Sequence, residues 1–223
     1  MRMRRKKNLD ERLRRVADCL VDIGETEGGY QGLPFCAEKL DLVGLFGNAH
    51  PVELEIGCGK GQFAAAIAAK HPERNFLAVE VNPNVVVQAC EKAQAAGLKN
   101  LRFLLLGAEK LGVLLPEGSI GRIYLNFSTP FPKKRQAKRR LTHDSFLQIY
   151  RAILTDGGEI LQKTDNRILF ASSICAFSRC GFELSDVTLD LHADEPEDNV
   201  MTEYESRFVS LGQPIFALKA TKR

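Results

Sequence analysis

Short apolar runs alternate with helix-like patterns from residue 51 to about residue 180. The helix-like patterns fall near 60–70, 83–97, 143–154 and 166–180. The apolar runs between them have strand character and are Val52–Ile56, Phe76–Glu80, Leu101–Leu106, Arg122–Phe127 and Glu159–Lys163. This alternation is typical of βαβ units, so it predicts an α/β fold in which helices cover both faces of a doubly wound, mostly parallel sheet.

The two ends of the chain depart from this rhythm. Near the start, apolar residues recur at three- and four-residue steps, which predicts an amphipathic helix over 8–23 that the glycine-rich stretch Gly24–Gly32 breaks. Near the end, Phe182–Leu191 and Ile215–Ala220 have strand character, and a short helical pattern lies around 202–210. These last strands suit an antiparallel pair at a sheet edge, so we predict seven strands with a C-terminal antiparallel strand.

Length and composition indicate one globular domain spanning residues 1–223. Hydrophobic residues make up 44% of the chain and charged residues 26%, which are ordinary proportions for a folded protein. The basic start MRMRRKK leads into a polar stretch, and no apolar run is long enough to span a membrane. The six cysteines form no CxxC pair and the four histidines lie outside ligand spacing. We therefore expect a cytoplasmic protein without a metal site.

Positive charge is concentrated in two blocks, although the net charge is only +3. One is a basic N-terminal arm at about 1–8, and the other is KKRQAKRR at 133–140, where six of eight residues are cationic. By contrast, the segment 181–206 contains nine carboxylates and no Lys or Arg. Clustered cations bind polyanions through counterion release, which indicates a nucleic-acid partner. A solvated face or tail is the alternative explanation for each block.

A glycine-rich turn follows the first predicted strand and reads Glu55-Ile-Gly57-Cys-Gly59-Lys-Gly61. Glycines at such a turn let the backbone bend sharply and approach a ligand closely, and the next helix offers unpaired N–H groups. A dinucleotide-binding loop would have glycine where this chain has Gln62, so the spacing disfavours NAD-dependent redox chemistry.

Glu80 closes the second predicted strand. A carboxylate at this place can accept two hydrogen bonds from a ribose diol, as the acidic residue of nucleotide-binding βαβ units does. An acid at a strand end is also often only solvated, but the preceding glycine loop favours the cofactor role.

The most distinctive stretch, residues 124–142, follows the fourth strand at the edge where open α/β sheets place their substrates. Pro130 and Pro132 stiffen it and restrict the residues before them to extended geometry. Because the six cations of 133–140 come next, the stiffened segment around the two prolines and an anion-binding surface share one loop.

Six motifs in order give the chain a resemblance to the bacterial tRNA (guanine-N7)-methyltransferase family. They are MRMR at the start, EIGCGKGQF at 55–63, the block at 124–142, KTDN at 163–166, LDLH at 189–192 and NVMTEYE at 199–205. The resemblance covers nearly the whole chain. It implies a Rossmann-like fold, S-adenosyl-L-methionine as methyl donor, and methylation of N7 of the guanosine at position 46 in the variable loop of tRNA.

The resemblance also assigns residues to roles. The cofactor-binding positions are Glu55, Gly57, Gly59, Gly61, Glu80 and, on the adenine side, Gly107. The substrate-binding positions are Lys133, Asp165, Thr202, Glu203, Tyr204 and Glu205.

This chain departs from the family pattern at three positions. Gly107 stands where the family has an acidic residue, and Glu109 is the candidate to replace that acid. Phe131 stands where the family has Trp, which keeps an aromatic face. Thr129 stands where the family carries its proposed catalytic aspartate.

The missing aspartate bears on rate more than on reaction type. Guanine N7 has an in-plane lone pair and no proton in the neutral base, so its attack on a sulfonium methyl needs no general base. A carboxylate would stabilise the positive charge that the ring gains, and losing such a partner costs on the order of 10²–10³ in rate. We therefore expect a weakened enzyme with Thr129 at the catalytic position, and Asp165 is the candidate to share the role.

The main alternative is a tRNA-binding pseudoenzyme that has kept the fold and lost turnover. A methyltransferase with a small-molecule substrate is disfavoured by the basic block. Four single residues also have structural alternatives. Lys163 and Asn166 could cap the end of a strand and the start of a helix. His192 could be a structural histidine, and Tyr204 could be a core residue. We expect a monomer or a homodimer.

Overall fold

The computed structural model describes residues 7–23, 38–193 and 199–223. The chain divides into two compact units, residues 1–114 and 115–223. The predicted single domain over 1–223 stays a prediction. Most of the basic arm at about 1–8 and the glycine-rich stretch Gly24–Gly32 lie outside the described residues.

Three parallel strands form the centre of the first unit: β1 (Val52–Ile56), β2 (Asn75–Val79) and β3 (Leu101–Leu104), with β2 in the middle. Every residue of β1 and β2 is buried, as expected when helices cover both faces of a parallel sheet. The register pairs the last residues of the three strands with one another, so their carboxyl ends meet at one edge.

The helices of the first unit are α1 (Leu9–Arg15), α2 (Leu42–Phe46), α3 (Gln62–Lys70), α4 (Pro83–Ala95) and α5 (Leu111–Leu114). The start of α4 illustrates how the sequence positions them. Asn82 accepts a hydrogen bond from the backbone N–H of Asn84, and Pro83 occupies the first helical position, where its missing N–H costs nothing.

The second unit contains four strands in the order β4 (Ile120–Asn126), β5 (Leu154–Thr164), β7 (Phe216–Lys222) and β6 (Phe182–Thr188). Strands β4 and β5 are parallel, and β7 runs antiparallel to both β5 and β6. The helices are α6 (Asp144–Ile153), α7 (Arg167–Arg179) and α8 (Glu203–Ser210). The basic block forms a 3₁₀ helix over Lys134–Arg139, an element that its sequence pattern did not predict.

The helix predicted over 8–23 is wrong in its second half. The α-helix ends at Arg15, and a 3₁₀ turn over Ala17–Cys19 follows it. Leu20 then adopts an extended backbone conformation and forms an isolated parallel β-bridge with Phe103. The Val21 N–H donates to the Phe103 carbonyl at 2.9 Å. The apolar side chains continue the helical spacing, but hydrogen bonding along the edge of β3 replaces the helix.

The predicted fold class is confirmed. The described residues contain seven strands with helices between them, and β7 is the antiparallel strand among them. Strand β1 has the predicted bounds, and the other strands lie within a few residues of theirs, apart from β5, which begins five residues earlier. In the three described ranges, no helix combines the length and apolar character that crossing a membrane requires.

Candidate functional site

The glycine turn leaves the carboxyl end of β1 and reaches the start of α3. The N–H groups of Gly57 and Cys58 both donate to the Val79 carbonyl, at 2.8 and 3.0 Å, which fastens the turn to the end of β2. Gly57, Gly59 and Gly61 have φ values of 84°, 56° and 70°, a conformation that other residues rarely adopt.

The three glycines differ in what surrounds them. A methyl group added at Gly57 or Gly59 would have nothing within 4 Å, so this face of the turn leaves room for a ligand. A methyl group added at Gly61 would come within 2.6 Å of the Ala89 Cβ on α4. Gly61 therefore permits close packing of α3 against α4, whereas Gly57 and Gly59 border open space.

Glu80 follows β2 and holds the turn from its other side. Its carboxylate accepts hydrogen bonds from the N–H groups of Gly59 at 3.1 Å, Val81 at 2.8 Å and Asn82 at 2.9 Å. Burial raises the pKa of the Glu80 carboxyl, and these three backbone donors partly oppose the rise. Since a carboxylate can accept about four hydrogen bonds, Glu80 retains capacity for a ligand hydroxyl.

Glu55 and Gly107 complete the predicted cofactor positions in the first unit. Glu55 is buried at the penultimate position of β1, and Gly107 lies three residues beyond the end of β3. A side chain starting at Gly107 would overlap the carboxylate of Glu109, which folds back over the glycine. The Glu109 carboxylate therefore occupies the volume where an acidic side chain at position 107 would begin.

The ledge, residues 127–133, leaves the carboxyl end of β4 in the second unit. The Phe127 N–H donates to the Lys163 carbonyl at 2.8 Å, one step beyond the last β4–β5 pair, and the backbone then turns away. Phe127 and Phe131 both have positive φ, at 50° and 41°. Such backbone geometry costs a non-glycine residue about 1–3 kcal/mol and persists only where its surroundings hold it. Thr129 and Lys133 are exposed on this ledge.

Asp165 follows β5, the strand next to β4. Because Asn126 pairs with Lys163, the segments carrying Thr129 and Asp165 leave the sheet at the same edge. Asp165 is exposed, whereas the side chain of Asn166 accepts a hydrogen bond from the Leu169 N–H at 2.8 Å and caps α7. The alternative interpretation of Asn166 as a helix cap is confirmed.

Glu205 is the centre of a buried polar network. Its Oε2 accepts hydrogen bonds from Lys163 Nζ at 3.0 Å and from the Thr202 N–H at 3.2 Å. Its Oε1 accepts one from Asn199 Nδ2 at 2.6 Å and lies 3.1 Å from His192 Nε2. Glu205 itself is 0% exposed. His192 is hydrogen-bonded to this carboxylate, as its interpretation as a structural histidine requires, and Lys163 is part of the same network.

Tyr204 lies on the exposed side of the same helical turn. Its residue exposure is 61%, so the alternative that it is a core residue is wrong. Its ring stacks on Phe127 at a centroid distance of 6.1 Å, which joins the ledge to the start of α8. Phe127 also stacks on Phe208 at 6.1 Å. These contacts link the segment Thr202–Glu205 to the segment that carries Thr129.

The geometry separates the predicted substrate residues into two groups. Thr129, Lys133, Asp165 and Tyr204 are exposed, whereas Thr202 and Glu205 are buried and hydrogen-bonded to each other. The T-x-x-E spacing of Thr202 and Glu205 is a capping-box signature, a sequence signal that identifies the start of α8. The substrate roles of Thr202, Glu203 and Glu205 stay predictions. Within residues 7–23, 38–193 and 199–223, no cluster of three or more potential ligands is arranged to hold a metal ion.

Comparison with known sequences identifies close relatives. Residues 49–218 match a family described as "Putative methyltransferase". A tRNA (guanine-N(7)-)-methyltransferase from an Exiguobacterium species is 48% identical over 178 residues, which is 80% of this chain and 83% of the relative. The enzyme of the same name from Streptococcus sanguinis is 46% identical over 79% of this chain and 83% of its own length.

Solved structures with the same fold are more distant in sequence. The 16S rRNA methyltransferase KamB aligns with a TM-score of 0.60 and 19% identity, over 83% of this chain and 94% of its own. A mutant 16S rRNA (adenine(1408)-N(1))-methyltransferase from Catenulisporales acidiphilia, solved with its cosubstrate SAM, aligns with a TM-score of 0.56 and 15% identity, over 79% of this chain and 88% of its own. At these identities the likeness establishes the Rossmann-like methyltransferase architecture alone.

Proposed function

This chain belongs to the tRNA (guanine-N(7)-)-methyltransferase family, and from that premise we propose that it transfers a methyl group from S-adenosyl-L-methionine to N7 of guanine 46 in the variable loop of tRNA. The observation that carries the proposal is the 48% identity to a relative of that name over four-fifths of the chain.

The turn after β1 fits S-adenosyl-L-methionine as a ligand. Gly57 and Gly59 border open space, and Glu80 retains a free acceptor site for a ribose hydroxyl. Glu55 and Gly107 join them in the proposal, with Glu109 as the acid on the adenine side. When bound, the cofactor supplies an electrophilic methyl group on a sulfonium.

The ledge residues and Tyr204 form the proposed substrate side. Because N7 of neutral guanine carries a lone pair and no proton, the reaction requires positioning of the base and stabilisation of the growing positive charge. Thr129 occupies the catalytic position without a charge of its own. Asp165 leaves the same sheet edge and is the carboxylate that we assign to share this role.

The remaining proposed substrate residues either contact the tRNA directly or hold the residues that do. Lys133 and Tyr204 are exposed and are assigned to direct contact with tRNA. Thr202 and Glu205 cap α8 and support the turn that presents Tyr204, and Glu203 stays in the proposed substrate segment by its place in the motif. Tyr204 can offer a stacking face to a base, since aromatic rings are the usual stacking partners of unstacked RNA bases.

The proposal includes tRNA as the macromolecular partner, a cytoplasmic location, and assembly as a monomer or homodimer. The exposed cations of the basic block support tRNA binding, because its phosphates release counterions on contact with Lys and Arg. Sedimentation of the purified protein with and without tRNA measures the assembly.

The direct test is methylation of unmodified tRNA. The protein is incubated with the tRNA and labelled S-adenosyl-L-methionine, and methylated guanosine is located by chemical cleavage at N7-methylguanosine. We expect cleavage at position 46, and label at any other atom would contradict the proposal. Absence of label together with measurable tRNA binding would favour the pseudoenzyme, to which the loss of aspartate at Thr129 points. Glu80→Ala is the matched control, which should lose methylation and keep tRNA binding.

A further inference from the structure

Arg140 ends the basic block and is partly buried, whereas the other five cations of the block are exposed. Its guanidinium donates three hydrogen bonds: Nε to the Pro130 carbonyl at 3.0 Å, Nη2 to the Phe131 carbonyl at 3.1 Å and Nη1 to Ser172 Oγ at 3.0 Å. One planar group therefore binds two consecutive carbonyls of the ledge and one side chain of α7.

The backbone at this point needs such support. Phe131 has φ of 41°, which is an outlier conformation for a bulky residue. It is also flanked by Pro130 and Pro132, which have no N–H with which to form a turn of their own. The fork of Arg140 fixes the two carbonyls in the relative orientation that this conformation requires.

The other end of the contact lies in a hydrogen-bonded part of α7. Ser172 Oγ donates to the Leu169 carbonyl at 2.8 Å within α7. Next to it, Ser173 Oγ lies 2.7 Å from Thr142 Oγ1 and accepts a hydrogen bond from Gln162 Nε2 at 3.0 Å. Arg140 thus ties the ledge to α7 at Ser172, which shares the Leu169 carbonyl with Ser173 and so adjoins the network that joins α7 to β5.

The neighbouring residues of the block behave differently. Arg139 places its guanidinium carbon 4.5 Å from the centroid of the Phe131 ring and packs on the ledge from the side-chain face. The remaining cations are exposed and are Lys133, Lys134, Arg135 and Lys138. Arg139 is exposed as well, so Arg140 is the one cation of the block that is partly buried. Two of the six cations, Arg139 and Arg140, contact the ledge.

We propose that Arg140 is a positioning residue for methyl transfer, which holds Thr129–Lys133 in place while the exposed cations bind the RNA phosphates. The inference rests on the proposed function for its kinetic consequence, but its structural part can be tested without turnover. Lys cannot replace Arg here, because an ammonium group lacks the planar fork.

The kinetic experiment compares Arg140→Lys with Arg135→Ala in single-turnover methylation of tRNA. For Arg140→Lys, we expect the rate at saturating tRNA to fall about 10- to 100-fold, as for a small misplacement of reacting groups, with tRNA affinity and its salt dependence unchanged. For Arg135→Ala, we expect weaker tRNA binding and a salt slope smaller by about 1, as for the loss of one phosphate contact. A reduced salt slope with an unchanged rate in Arg140→Lys would overturn the inference.

The second experiment needs no activity. The chain contains no tryptophan, so Phe131→Trp provides a single fluorescent reporter on the ledge. Adding Arg140→Lys should increase acrylamide quenching of this reporter at least about twofold, whereas adding Arg135→Ala should leave it unchanged. Ser172→Ala removes one of the three hydrogen bonds and should give a smaller increase. Unchanged quenching in both the Arg140 and Ser172 variants refutes the positioning role, while a failure of the wild type to methylate tRNA refutes only the proposed function.

Discussion

Removal of the Glu205 carboxylate is the perturbation whose effect the structure predicts most sharply. In Glu205→Ala, Lys163 loses its buried counter-charge, and its side chain is itself only 14% exposed. The Thr202 N–H and Asn199 Nδ2 lose their acceptor at the same time. Breaking a buried pair by removing one partner typically costs about 3–5 kcal/mol, because an uncompensated charge remains inside.

This cost is large relative to the stability of an ordinary domain, which is about 5–15 kcal/mol. For a chain of this size, 1 kcal/mol shifts Tm by about 2–4 °C, so Glu205→Ala should lower Tm by roughly 6–20 °C. The measurement is urea or thermal unfolding followed by circular dichroism. Glu183→Gln is the matched control, since the Glu183–Arg223 pair is solvent-exposed and should contribute little.

A double-mutant cycle identifies the source of the loss. Lys163→Met and Glu205→Gln are made singly and together, and the coupling free energy is obtained from the four unfolding curves of the wild type, the two single variants and the double variant. We expect the double variant to be more stable than the sum of the single losses implies, because in the neutral pair neither buried charge loses its counter-charge. Additive effects, or a loss below about 1 kcal/mol in Glu205→Ala, would refute the reasoning.

Three further predictions concern the cofactor and catalytic positions. Thr129→Asp should raise the single-turnover methylation rate, by up to about 10²–10³, because it restores a charge partner for the methylated ring; an unchanged rate would mean that another group already supplies it. Burial raises the pKa of the Glu80 carboxyl, so on acidification it protonates earlier than an ordinary glutamate, and cofactor affinity should fall as pH drops through that raised pKa. Calorimetric titration across pH should show this fall in the wild type and a flat profile in Glu80→Gln. If the Glu109 carboxylate replaces the acid absent at Gly107, Glu109→Ala should weaken cofactor binding about 10-fold, because a charge-assisted hydrogen bond contributes about 1.5 kcal/mol. Glu117→Ala, at an exposed glutamate, is the control.

Much of the fold could be predicted from the hydrophobic pattern, because the apolar positions of the sequence are the positions that the structure buries. Strand β1 is buried throughout and has the predicted bounds, and the helix Arg167–Arg179 begins at the predicted cap Asn166. The pattern failed where tertiary hydrogen bonds replaced local ones. Leu20 keeps helical spacing with Leu13 and Val16, yet it bridges to Phe103, which lies more than eighty residues away.

The candidate site was predictable in residue identity and much less in role. The spacing of the glycines and of Glu80 predicts a cofactor-binding turn, and in the structure the Gly59 N–H donates a hydrogen bond to Glu80. The local cap between Thr202 and Glu205 is also encoded in a four-residue pattern. By contrast, Lys163 reaches the same carboxylate from a position 42 residues earlier, and no local signal predicts that contact.

The supporting contacts also explain why the substitution at Thr129 need not remove the activity. The ledge is held at Phe127 by the Lys163 carbonyl and the Tyr204 ring, and at Phe131 by Arg140 and Arg139. None of these contacts involves the side chain at 129. Positioning of the reactants therefore does not depend on the missing carboxylate, and positioning can supply several kcal/mol of barrier reduction by itself. On the proposed role of position 129, and since N7 needs no deprotonation, we expect the missing aspartate to reduce charge stabilisation and to leave the positioning of the ledge unchanged.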